Sequence, residues 1–103
     1  MINVRFEYDS QKEIIGYELK GHAGYDEIGY DIVCSAVSIL AINTCNSIES
    51  FTEDKFTVET DESGYLKLIV EDPCQDSRLL LNSFRLGIEG IEAQYGKEFV
   101  EIV

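Results

Sequence analysis

The chain has few of the residues that break a fold into pieces. It holds one proline in 103 residues and no Gly/Ser-rich run, so nothing reads as a linker or a disordered tail. One domain spanning residues 1–103 is expected, and the 45% apolar content is enough for one core between two layers. Basic residues are also scarce: 8 against 20 acidic ones, for a net charge of −12. They are scattered from Arg5 to Lys97. Without a Lys/Arg cluster to neutralise phosphates, a nucleic-acid surface is excluded. The acidic surplus favours a basic partner through long-range attraction, with simple solubility as the alternative.

Histidine occurs once, and the three cysteines are widely spaced. With no paired CxxC, no metal-ligand spacing is present, and neither a metal nor another cofactor is expected. A long hydrophobic run is missing too. The longest uncharged stretch, Ile32 to Ile48, has 17 residues and includes Ser35, Ser38, Asn43, Thr44, Asn46 and Ser47. That is too short and too polar to span a bilayer, and it reads as a buried helix. The opening MINVRFEYDS has no positive region followed by an apolar core, so no signal peptide is expected. An odd cysteine count then fits free thiols in a reducing cytoplasm.

Apolar and polar residues alternate at Ile2, Val4, Phe6 and Tyr8, as in a half-buried strand. Asp9 to Lys12 reads as a turn, and Ile15, Tyr17 and Leu19 as the second strand of a hairpin. The segment Gly21 to Gly29 holds three glycines in nine residues and reads as a loop. Asp31 then suits the N-cap of a helix from Ile32 to Ile48. That helix is apolar nearly all round, so one sheet cannot cover it, and a homodimer is expected. Strands follow around Phe56–Thr60 and Leu66–Val70, separated by an Asp61–Gly64 turn. Pro73, with Asp72 as cap, suits the first position of a second helix, and Gly96 its C-terminal stop. Phe99 to Val103 closes the order ββαββαβ. The fold class is α+β: a two-layer sandwich with two helices on one face of a mostly antiparallel sheet.

Cys34 is the residue with most chemical promise. If Asp31 caps the helix, Cys34 is its third residue, where free N–H groups and the positive helix end favour thiolate. The charge of Asp31 opposes this. His22, the only histidine, lies between glycines twelve residues earlier, on a loop long enough to fold back onto the thiol. A base beside a cysteine is the activated-nucleophile arrangement. The backbone N–H groups of Cys34 and Ser35 are then the nearest donors for an oxyanion. Asp31, Cys34 and Ser38 share one helix face. Plainer roles stand beside each of these: an inert packed thiol, an uninvolved histidine, a capping Asp31, and a Ser38 hydroxyl bonded to backbone. Cys45 sits mid-helix in apolar company, and Cys74 stands beside Pro73 with no histidine near it in sequence.

These segments resemble a known family. Gly21-His22-Ala23-Gly24, then Gly29, then Asp31-Ile32-Val33-Cys34-Ser35-Ala36-Val37-Ser38 resembles the signature of the bacterial ribosomal-processing cysteine proteases, the Prp family. Leu79 to Ile88, running on to Tyr95, is similar to that family's second helix. The resemblance covers nearly the whole chain. It implies a catalytic His22 and Cys34, with the motif's Asp and Ser on Asp31 and Ser38. It also implies a dimer that removes a short N-terminal extension from large-subunit ribosomal protein twenty-seven. Ser35 departs from the family's usual alanine. Two other readings compete: a non-enzymatic acidic dimer that binds a ribosomal protein, and a thiol redox sensor in which Cys34 is oxidised through its thiolate.

Overall fold

The computed structural model describes residues 1–21 and 28–103, with residues 28–31 described by their backbone. His22 therefore lies outside the described residues. The elements run β1 (Ile2–Tyr8), β2 (Ile14–Lys20), α1 (Ile28–Phe51), β3 (Phe56–Thr60), β4 (Leu66–Val70), α2 (Gln75–Tyr95) and β5 (Val100–Ile102). They form one five-stranded sheet in the order β3-β4-β2-β1-β5. Three neighbouring pairs are antiparallel, and β5 joins β1 in parallel. This is the expected ββαββαβ, mostly antiparallel α+β architecture.

Tyr17 shows why both helices lie on one face. Its hydroxyl donates to the Ala41 carbonyl of α1 at 2.7 Å. Its ring stacks on Phe84 of α2, with centroids 3.9 Å apart. A strand side chain points to one face only, so the helix it bonds and the helix it stacks on share that face. Val33, Val37, Ala41, Thr44 and Ile48 form the buried stripe of α1, and Leu81, Phe84 and Ile88 that of α2. Residues Ile32–Phe51 are long and apolar enough to cross a bilayer by length and composition, but this stripe is the protein's core. Other apolar positions on α1 are exposed: Ile32 at 50% and Ile39 at 66%.

The second strand departs from simple alternation. Glu7 pairs with Gly16 and Tyr8 with Ile14, so Ile15 is an extra residue at a bulge. Ile14, rather than Ile15, enters the core. Beyond the bulge a Cβ on Gly16 would stand 2.0 Å from the Leu68 carbonyl oxygen, so only glycine lets β4 approach.

The start of α2 also differs from the sequence reading. Its N-cap is Cys74, not Asp72, and helix begins at Gln75, not Pro73. Asp72 has φ 45°, whereas a capping residue is extended. Asp54 takes over the task from the α1–β3 connection. Its carboxylate accepts the Cys74 N–H at 2.8 Å and the buried Ser77 hydroxyl at 2.6 Å. Gly96, at φ 104°, ends the helix as expected.

Candidate active site

β2 is followed by Gly21, whose φ of 86° belongs to the left-handed region. A Cβ there would meet the Met1 carbonyl oxygen at 2.4 Å. In sequence this glycine immediately precedes His22. Among the described residues α1 begins at Ile28, four residues before the expected helix start. The shift matters for Cys34. Asp31 is the fourth residue of α1 rather than its cap, and Cys34 is the seventh rather than the third. From the fifth residue onward each amide N–H bonds a carbonyl four residues back. The amides of Cys34 and Ser35 thus fall in the second turn of the helix rather than at its free N-terminal end. Gly29 explains the misreading. Glycine argues against a helix interior, but it is tolerated in a first turn, where amides are unpaired anyway.

The three thiols stand in three different settings. Cys34 is half-buried and packs against the core at the N-terminal end of the α1 stripe. Ser35 and Ser38 are exposed, and Ser38 lies one turn after Cys34 on the same face. Cys45 is half-buried, with its sulfur 3.4 Å from the Tyr17 hydroxyl, and burial pushes its thiol pKa up. Cys74 is exposed at the α2 cap, beside the Asp54 carboxylate. Among the described residues, no three His, Cys, Asp or Glu side chains are grouped to hold a metal.

Two hollows lie beside α1. Ser38 opens on a cavity of about 180 Å³ with Leu19, Ile42, Thr60, Asp61, Tyr65 and Leu66 in its lining. Tyr65 donates its hydroxyl to Glu18 at 2.8 Å, and that bond pushes its pKa up to about 12. Further along the helix, about 230 Å³ lies between Ile42, Cys45 and Glu49 on one side and Phe56, Val58 and Leu66 on the other. These residues come from four separate elements. The one sequence signal for them is the surplus of apolar positions on α1.

Comparison with known proteins bears on the same features. The family model for "Cysteine protease Prp" matches residues 1–100. The ribosomal processing cysteine protease Prp of Staphylococcus aureus is 24% identical over 99 residues, covering 94% of this chain and 93% of its own. The Bacillus subtilis protein of that name is 24% identical over 101 residues, covering 92% and 90%. The crystal structure of the S. aureus protease with a substrate peptide superposes with a TM-score of 0.91 at 23% identity, over 100% of this chain and 98% of that one. SMU.848 from Streptococcus mutans superposes with a TM-score of 0.87 at 32% identity, over 99% and 91%. With its fold shared throughout and its sequence matched nearly end to end, this chain belongs to the cysteine protease Prp family.

Proposed function

We propose that this chain is a cytoplasmic cysteine endopeptidase in which Cys34 is the nucleophile and His22 its base. Its substrate is the short N-terminal extension of a large-subunit ribosomal protein. The observation that carries this reading is the family match over residues 1–100, which includes both the GHAG and the DIVCSAVS segments. His22 accepts the thiol proton, and the thiolate attacks the scissile carbonyl. His22 then protonates the departing amine, and water hydrolyses the thioester. With Cys34 inside the helix, activation of the thiol rests chiefly on His22. Asp31 and Ser38 support the pair from one turn to either side. The net charge of −12 suits a basic protein as substrate. The exposed Ile32 and Ile39 of α1 support a homodimer. A monomer in sedimentation at micromolar concentration would contradict that part.

Iodoacetamide labelling across pH, read by mass spectrometry, tests the dyad. Cys34 should be alkylated selectively at neutral pH, and the selectivity should vanish in His22→Ala. Cys74 is the exposed comparison thiol, and Cys45, whose thiol pKa burial pushes up, the less reactive one. Equal reactivity of Cys34 and Cys74 would favour the non-enzymatic acidic binder. Reversible oxidation of Cys34 by peroxide, without any cleavage, would favour the redox sensor.

A further inference from the structure

The two hollows beside α1 share Ile42, Thr60 and Leu66 and so form one trough. Its wall is a single stripe of the helix. Ser38, Ile42, Cys45 and Glu49 recur at three- and four-residue steps, and Cys34 continues that stripe by one turn beyond Ser38. Its floor is the β3–β4 end of the sheet. β3 is an edge strand, paired only with β4. Phe56, Val58 and Thr60 alternate onto the helix-bearing face, and Val58 is 40% exposed there, as Ile42 is 51% exposed on the wall.

We infer that this trough holds the peptide chain flanking the scissile bond, in extended form, with apolar side chains between Ile42 and Val58 and a basic side chain at Glu49. The inference rests on the protease reading for its anchor at Cys34. Length supports it: fifteen residues separate Cys34 from Glu49, or about 22 Å of helix. An extended chain covers that distance in about six or seven residues. Charge supports it too. Glu49 and Asp61 line the trough, and no Lys or Arg lines either hollow. In a chain with 20 acidic residues and 8 basic ones, this favours a basic occupant over a second copy of the same acidic protein.

Binding of intact peptides to Cys34→Ala, followed by fluorescence anisotropy, tests the trough separately from cleavage. A short peptide spans two residues on each side of the bond. Two longer ones add six residues, including a lysine, to one side or the other. One longer peptide should bind at least tenfold tighter than the short one, as expected for burying a Val-sized side chain or more. Adding Val58→Glu or Ile42→Glu to Cys34→Ala should remove that gain. Glu49→Lys should weaken the lysine peptide several-fold, and replacing the peptide's lysine by glutamate should recover the loss. The inference is overturned if neither flank improves binding or if Val58→Glu leaves the gain intact. It is also overturned if Val58→Glu splits a dimer in sedimentation while peptide binding is unchanged, since a second copy then fills the trough. If the flank binds as described but the wild-type protein leaves every peptide whole, the protease reading fails and the peptide trough stands.

Discussion

Tyr17→Phe removes one oxygen from the centre of the fold and leaves the ring in place. Tyr17 is fully buried, and its hydroxyl donates to the Ala41 carbonyl at 2.7 Å, joining β2 to α1. The carbonyl keeps its helical partner, so the loss is chiefly that hydrogen bond, with the weak contact to the Cys45 sulfur at 3.4 Å, about 1 kcal/mol in all. In a protein of this size that lowers Tm by roughly 4–8 °C. The stacking on Phe84 is unchanged and adds nothing to the difference. pH gives a second signature. Burial, followed by the neighbouring Cys45, pushes the Tyr17 pKa well above the ordinary 10.0. The folded state holds the protonated hydroxyl, so its contribution is full below about pH 10 and is lost as pH rises further, by about 1.4 kcal/mol per pH unit. The phenylalanine variant has no such loss, and Tyr65, also raised, is present in both proteins and cancels. Urea unfolding at pH 7, 9, 10 and 11 measures this. The wild-type protein should be more stable up to pH 9, and the order should reverse about one unit above pH 10. Equal stability at pH 7, or a constant gap up to pH 11, would refute the reasoning.

Two further substitutions probe the scaffold of the site. Asp54→Asn should destabilise the protein at pH 7, because the Ser77 hydroxyl and the Cys74 amide hold that carboxyl below its ordinary 3.8. The lowered pKa gives stability that is present above 3.8 and lost as pH falls, so the gap from wild type should close on acid titration; parallel unfolding curves would contradict the capping role. Gly16→Ala should prevent β4 from pairing with β2 and yield little folded protein, since its Cβ would lie 2.0 Å from the Leu68 oxygen. Gly90→Ala, with nothing within 4 Å of its Cβ, should instead stabilise α2 by about 1 kcal/mol, as followed by thermal melting.

What could be read from the sequence was what repeats locally. The alternation of Ile2, Val4 and Phe6 reappears as a buried face, and Phe84 and Ile88 of the second helix are buried as well. Gly96 could be read as a stop because a left-handed φ strongly favours glycine. Apart from the start of α1, the misreadings involve long-range partners. Ile15 loses its place in the core to Ile14 because the bulge is set by pairing with β1. Asp72 looked like a cap, while the real acceptor, Asp54, comes from twenty residues before Cys74. Leu79 and Leu86 fit the α2 periodicity yet are 68% and 71% exposed, because α2 has a partner on one side only. At the site, the Cys34 motif could be read as chemistry, but its position within the helix could not. The trough was hidden because Ile42, Val58 and Leu66 meet only once the sheet has formed.

The central claim is that Cys34 and His22 together cut a peptide bond. Incubation of a ribosomal protein carrying its N-terminal extension with the wild-type protein, Cys34→Ala, Cys34→Ser and His22→Ala, followed by intact-mass spectrometry, tests it most directly. Only the wild type should release the extension at an appreciable rate. Cys34→Ser should bind the substrate but hydrolyse little, because serine lacks the acidity of the thiol. Release of the extension by Cys34→Ala at the wild-type rate would contradict the account.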